Sequence, residues 1–520
     1  MKIYCIAICG KGIGNLAVLL KKQGHDVRGS EFSEKTFYPP MSTYLKENYI
    51  PVDIGFDPDK ITKDYDLIIL GGAALIHDKN NPQIQRAKEL GLNTISFARG
   101  IGDFIAAEEA IEVIGNHGKT TITSIIAWCF QKMRVDASYF IGEVPKNMQE
   151  SIHKGTSCYS VVEGDEHPSL YQEKGGKFLY HRPKHILFTS ADWDHKNIYR
   201  TEKSYLRAFL ELFELLPEDG SIVACIDGIN VPEVLTKISK NIPIYLYTLG
   251  TFKSGDTNFD FEEAVNHIRD KFIKFKNKYR KLGKLVKRIY FISYLDYNYS
   301  PDETRFQVCY LDLETEKAEV IGHFITHLIG DIGVENSLAS IARLHSLGFK
   351  YDQINEGIET FMGQTRRLEL VYNKGYKVIN DFAHSPIKIK STLHAVRQKY
   401  KNQQIFVIFH VIQSGLKEKT TFYQLKNVFN EANFVIIPPV NPNPAAEEKF
   451  YGKDYQNLIK EGAEENGDYL KPTNVYYTPI IHQIRSILEN NLRKDDIVLI
   501  MSSGNVSEIL EIVSGINLHS

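Results

Sequence analysis

The sequence predicts an α/β protein of three domains, each built on a largely parallel sheet. Three observations carry this. The 520 residues exceed one ordinary domain and, at roughly 150 residues per domain, suit three or four. Short apolar runs, partly β-branched and ending near Gly, Ser or Asp, recur along the chain and feed helical patterns. Glycine-rich turns follow two of those runs and open helices, as ligand loops do at the carboxyl ends of parallel strands.

The first expected strand, Lys2–Cys9, runs into Gly10, Gly12 and Gly14. Tyr65–Leu70 closes on Gly71 and Gly72. Ile111–Gly115 and Ile186–Phe188 continue the rhythm. It returns late in Tyr376–Asn380, Gln404–Phe409, Asn433–Ile437 and Asp496–Met501, with a helical pattern over Pro386–Gln398. Joins near residues 108 and 360 give domains 1–108, 109–360 and 361–520. An insertion at about 251–305 interrupts the middle one. Within it, Asp270 to Arg288 carries nine Lys or Arg in nineteen positions. A phosphate or acidic-partner patch is one reading. The favoured reading is a solvated amphipathic helix with Phe272, Phe275 and Tyr279 turned inward.

Composition narrows the function classes. With 62 basic and 64 acidic residues the formal charge is −2, which argues against general nucleic-acid or polybasic membrane binding. The 43% hydrophobic and 24% charged content is that of a globular chain, and no apolar run approaches the ~20 residues needed to span a bilayer. The apolar start is broken by the glycine turn and no small-residue cleavage site follows, so it reads as strand then helix, not signal peptide. Six cysteines make no disulfide framework; Cys5 and Cys9 are expected as core thiols, in a cytosolic protein.

The most informative segment is Gly115-Asn116-His117-Gly118-Lys119-Thr120-Thr121, between a strand and the helical run ITSIIAWCFQKM. Backbone N–H groups of such a loop cradle phosphate oxygens, Lys119 reaches the terminal phosphates, and the Thr120 hydroxyl suits Mg²⁺. The general P-loop pattern wants a glycine at Val113, and a plain turn with a helix cap is the bland alternative. Hard Mg²⁺ prefers oxygen ligands. Glu163-Gly164-Asp165-Glu166 and Asp192-Trp193-Asp194-His195 each follow an apolar run, which places acids on the same edge as the loop.

Together with Asn336 in GVENSLASIA, Arg366-Arg367 in TRRLE and Asp381 in NDFAHSP, these motifs occur in the order seen in Mur ligases, and the chain resembles that superfamily over nearly its whole length outside the insertion. Tyr38-Pro39-Pro40-Met41-Ser42-Thr43, and Lys177-Phe178 followed by His181-Arg182-Pro183, look like its peptide-ligase branch. The resemblance implies a Rossmann-like UDP-binding domain, a central P-loop ATPase domain and a Rossmann-like domain for the incoming amine, in a monomer or weak dimer of the bacterial cytoplasm. It implies ATP-dependent joining of L-alanyl-γ-D-glutamyl-meso-diaminopimelate to UDP-N-acetylmuramate in peptidoglycan recycling. L-alanine is the alternative amine, and an inactive nucleotide-binding regulator the alternative class. By the same resemblance Lys119, Glu163, His195 and Arg367 are catalytic, and Thr120, Glu163 and His195 hold Mg²⁺. The loop 115–121, Asn336 at the adenine, Arg367 at the phosphates and Asp381 at the ribose bind ATP. Gly10, Gly12, Gly14, Glu31 and Gly72 meet the UDP portion, and Pro145 and Asn147 lie near the muramoyl group. Without the ordered set, Asn336 reads as a helix cap and Arg367 and Asp381 as a surface ion pair.

Departures from the family pattern are Ile332 and Gly333 for His-Asn, Asn197 for an Asp, and Thr189-Ser190-Ala191-Asp192 for Asn-Asn-Leu-Glu. Glu143 stands for the middle glycine of a GGVP loop, and Ser502-Ser503-Gly504-Asn505 for Ser-Asn-Gly-Gly. Leu210 stands where some members carry a carbamylated lysine. By the resemblance these changes leave the ATP and metal core largely intact and bear more on the identity of the amine than on the activation step.

Overall fold

The computed structural model describes residues 1–76, 78–170, 175–194, 198–250, 261–300, 302–412, 414–417, 419–442, 448–465, 472 and 474–516. Three sheets follow one another along the chain. The first comprises β1 (Lys2–Ile6), β2 (Asp26–Glu31), β3 (Val52–Ile54), β4 (Leu67–Leu70) and β5 (Thr94–Ser96), ordered β3-β2-β1-β4-β5 and parallel throughout. β1 ends earlier than the apolar run suggests because Ala7 takes a left-handed conformation, φ 58°, which no strand continues through.

The second sheet holds β6 (Glu109–Ile114), β7 (Ser138–Phe140), β8 (Ile152–His153), β9 (Tyr159–Glu163), β10 (His185–Phe188), β11 (Ser221–Cys225), β12 (Ile244–Thr248), β13 (Val286–Ser300), β14 (Glu303–Asp312) and β15 (Ala318–Thr326). Their order is β15-β14-β13-β12-β11-β10-β6-β9-β7-β8. Central strands are mostly buried, β10 throughout and β6 from Ala110 onward, as expected of a parallel sheet covered on both faces, which is why they read as largely apolar runs. The third sheet is β16 (Glu369–Asn373), β17 (Lys377–Asp381), β18 (Ile405–His410), β19 (Phe434–Ile437), β20 (Asn474–Tyr477) and β21 (Ile497–Ser502), ordered β16-β17-β21-β18-β19-β20, with only β16 antiparallel. No helix among the described residues is long and apolar enough to cross a membrane.

By compactness the chain divides into two units. One contains Met1–Leu295, Phe306–Ile325 and Glu335–Phe361, the other Asp296–Arg305, Thr326–Val334 and the chain from Met362 onward. Within the insertion the first half of the basic segment lies in the helix Phe261–Lys278, with Phe272 and Phe275 buried and Tyr279 packed on the same core. The rest forms a short helix, Arg280–Gly283, and the start of β13, so the expected single helix ends early. The strands β13 to β15, absent from the α/β rhythm read in the sequence, extend the middle sheet beyond β12. Residues 251–260 lie outside the described set.

A polar network pins the edge of the middle sheet opposite the phosphate loop. Arg343, wholly buried, donates from Nη2 to Ser221 Oγ at 2.7 Å and Ser346 Oγ at 2.6 Å. His185 shares Ser221 Oγ through Nδ1 at 2.8 Å and bonds Glu109 Oε2 through Nε2 at 2.8 Å. Burial, and then the Arg343 charge, hold His185 down to about 4 against the pull of Glu109. Burial, and then Arg288, hold His345 down to about 4 as well. Both rings fold neutral, so the unfolded chain, titrating near 6.5, takes up protons first as pH falls. Stability is expected to be full above about pH 6.5 and to drop progressively toward pH 4, by roughly 2–3 kcal/mol per histidine. Urea unfolding at pH 7.5, 5.5 and 4.5 checks this, and His185→Asn is expected to flatten the slope.

Candidate active site

β10, β6 and β9 are parallel neighbours, so the loops after Phe188, Ile114 and Glu163 open on one edge. Gly115 (φ 121°) and Gly118 (φ 73°) lie in backbone regions that L side chains rarely adopt, so the turn needs glycine at both. Gly118 is the N-cap of the helix Lys119–Lys132 and makes no side-chain cap hydrogen bond, and the helix N-terminus it opens favours an anion. The loop is pinned from β10: Thr189 Oγ1 donates to His117 O at 2.8 Å, and Asn116 N donates to Ser190 Oγ at 3.3 Å. Asn116 Nδ2 reaches Tyr205 OH at 2.9 Å, and His117 Nε2 lies 3.3 Å from Asp192 Oδ2. The departures Thr189, Ser190 and Asp192 therefore brace the phosphate loop.

Thr120 Oγ1 donates to Glu163 Oε1 at 2.7 Å, and Gly142 N donates to Glu163 Oε2 at 2.7 Å. Lys119 Nζ bonds Glu166 Oε2 at 2.8 Å, with side-chain exposures of 15% and 2%. Burial works against the Lys119 charge, but Glu166, Asp165 and Glu163 outweigh it and hold its pKa above the ordinary lysine value. Asp165 is held well below the carboxylate range: burial opposes this, and Lys177, 2.6 Å away, and Lys119 overcome it. The acid run EGDE announces carboxylates near the loop, but which one meets Lys119 is set by the turn after β9. Glu166, absent from the sequence-derived site, is that residue. The adjacent hard oxygens of Thr120 and Glu163 suit Mg²⁺. Among the described residues no group of three or more His, Cys, Asp or Glu forms a metal cluster; the expected third ligand, His195, lies outside them, as does Asn197.

Asn336 sits six residues inside the helix Gly330–Ser346 and so does not cap it. Its Oδ1 lies so close over Gly118 that a Cβ there would collide with it. Thr121 opens the helix beside Thr120. Lys119, Thr120, Glu163 and Asn336 are thus assembled around one loop.

The first sheet presents Gly10, Gly12 and Gly14 at the start of the helix Lys11–Lys22. A Cβ at Gly12 would fall 2.6 Å from the Phe97 ring, so close packing already requires this glycine. Glu31, buried at the end of β2, accepts Cys9 N and Phe32 N at 2.9 Å each and ties the glycine loop to its neighbour. Gly72 begins a short turn after β4. Glu143 forms an ion pair with Lys11, Pro145 O accepts Met148 N at 3.0 Å, and Asn147 Nδ2 donates to Thr360 O at 2.8 Å.

In the second unit, Asp381 at the end of β17 is buried. Its Oδ2 accepts Leu368 N at 2.8 Å, while Oδ1 accepts Ala383 N at 2.8 Å and Thr392 Oγ1 at 3.1 Å. That is no surface ion pair. Arg366 donates to Ser502 O and Gly504 O at 2.7 Å, and both Arg366 and Arg367 lie over the Phe382 ring, at 4.7 and 5.5 Å from its centroid.

A glycine loop between a parallel strand and a helix, with a lysine at its end and carboxylates beside it, is the arrangement that suits phosphate oxygens. Family models match in succession along the chain: the Mur ligase family catalytic domain at residues 2–109, the Mur ligase middle domain at 113–344 and the Mur ligase glutamate ligase domain at 366–504. The chain belongs to the Mur ligase superfamily, ATP-dependent ligases that form amide bonds. UDP-N-acetylmuramate–L-alanine ligase of Persephonella marina is 25% identical over 98% of this chain and 96% of its own length. UDP-N-acetylmuramate–L-alanyl-γ-D-glutamyl-meso-2,6-diaminoheptandioate ligase of Escherichia coli is 27% identical over 77% of this chain and 76% of its own. Among solved structures, murein peptide ligase of Psychrobacter arcticus superposes with a TM-score of 0.61 at 21% identity, each chain covered in full. UDP-N-acetylmuramate–alanine ligase of Thermotoga maritima gives 0.65 at 20% identity over 97% and 96% of the two chains.

Proposed function

We propose that the chain joins a cell-wall peptide, L-alanyl-γ-D-glutamyl-meso-diaminopimelate, to UDP-N-acetylmuramate in peptidoglycan recycling. The observation that carries this is the convergence of Lys119, Thr120 and Glu163 on one phosphate loop, with Lys177 of the peptide-ligase-like stretch tied to Asp165 beside it. Residues 1–108 bind the UDP portion, 109–360 bind ATP, and 361–520 present the amine.

A carboxylate and an amine do not condense at neutral pH. The muramoyl carboxylate oxygen attacks the γ-phosphorus of ATP, ADP leaves, and an acyl phosphate forms. The free amine then attacks the acyl carbon, phosphate departs, and the amine's proton passes to solvent. The site's task is positioning and charge neutralisation. Lys119 supplies a fixed positive charge at the transferring phosphoryl oxygens, and the loop N–H groups orient them. Asn336 borders the loop for the adenine, and Arg367 meets the phosphates. Thr120 and Glu163, with His195, are the residues that would hold Mg²⁺, which supplies further neutralisation of phosphate charge when bound.

A second reading, ligation of L-alanine, is favoured by the names of relatives that match nearly end to end, such as the Persephonella marina enzyme. ADP release with UDP-N-acetylmuramate and either the tripeptide or L-alanine separates the two. The tripeptide is expected to give the higher kcat/KM, and preference for alanine would sink the recycling assignment.

A further inference from the structure

Glu166 is as buried as any carboxylate beside the phosphate loop, and its oxygen faces the ammonium of Lys119 at 2.8 Å. Its main chain is fixed too, since Tyr199 OH donates to Glu166 O at 2.6 Å. Lys177 engages Asp165, and Thr120 and Gly142 N engage Glu163, so each acid of the run has a different partner. We propose that Glu166 is the exchange counter-ion of Lys119. It holds the ammonium while the loop is empty, gives it up to the nucleotide phosphates, and takes it back as ADP leaves.

The inference rests on the loop being the ATP site. The physical argument is one of competition. A buried ammonium needs a counter-charge. With no nucleotide present, Glu166 provides it. When polyphosphate arrives, the same ammonium turns to phosphate oxygens, and the Glu166 carboxylate is left within a few ångströms of like charge. Nucleotide affinity is therefore the difference between two ion pairs, and the carboxylate weakens it. An enzyme that makes ADP at every turnover gains from this where product release limits kcat. Glu166 acts through Lys119 and is a positioning residue.

The test is calorimetric titration of the full-length protein with ADP and with AMP. Wild type is compared with Glu166→Gln, which keeps the shape and an oxygen acceptor, and with Glu166→Met, which keeps only the volume. Both neutral variants are expected to bind ADP about five- to ten-fold more tightly, with AMP affinity unchanged because AMP lacks the β-phosphate. Glu166→Asp retains the charge and is expected to stay near wild type. In steady state, kcat and the KM for ATP are expected to fall together in Glu166→Gln. Wild-type protein that binds ADP, with neutral variants that bind it equally or more weakly, overturns the counter-ion role alone. Wild-type protein that binds no ADP overturns the ATP-site reading and the counter-ion role with it.

Discussion

Lys119→Ala is expected to lower substrate-dependent ADP formation by at least about 10²–10³-fold, the typical cost of removing one preorganised charge from a transition state. The variant carries a second effect. Glu166, 2% exposed in the native protein, loses its cation and stays behind as a buried charge, which costs roughly 3–5 kcal/mol. Loss of activity alone would therefore confound catalysis with stability. The pair Lys119→Met with Glu166→Gln separates them, because no charge is stranded. Its melting temperature is expected to return toward wild type while turnover stays lost. Wild-type turnover in Lys119→Ala would refute the phosphate-loop assignment outright.

Much of this site is legible in the sequence because its parts are local. A strand, a glycine turn and a helix start within ten residues of one another, and each leaves its own mark on the string from Ile111 to Thr121. The acids after β9 are legible as a cluster for the same reason. Pairing is less legible. Glu163, Asp165 and Glu166 differ by one or two positions, and which faces Lys119 depends on the turn that follows β9 and on Tyr199, more than thirty residues away, bonding the Glu166 carbonyl. The strands β13 to β15 do not have the buried, unbroken apolar pattern of the parallel strands. The alternation in Thr304-Arg305-Phe306-Gln307-Val308 is the signature of a strand with one covered face, and its burial alternates accordingly. Asp381 illustrates a third limit. Motif order finds the residue, but its hydrogen-bond partners come from residues 368, 383 and 392, which only the folded chain gathers.

Asp381→Asn is expected to cost the second unit about 2–4 kcal/mol and to lower kcat/KM for ATP by at least ~10-fold. The carboxylate accepts Leu368 N on one oxygen and Ala383 N on the other. An asparagine amide has one oxygen and one NH₂, so in either orientation a donor faces a donor. The segment it holds is strained: Arg366 and Leu368 both have positive φ, 59° and 44°, on either side of Arg367. Arg366 N is fastened to Glu369 Oε2 at 2.7 Å, and Asp381 fastens Leu368. Releasing one fastening lets the backbone relax and carries Arg367 away from its place over Phe382. A direct ribose contact and this positioning role predict different specificity. A carboxylate that binds the ribose hydroxyls would discriminate ATP from 2′-deoxy-ATP, and its loss would erase the difference. A carboxylate whose task is to hold Leu368 N, Ala383 N and the Thr392 hydroxyl makes no such distinction, and in that case both nucleotides are expected to lose kcat/KM by the same factor in Asp381→Asn. A selective loss for ATP would return Asp381 to the ribose.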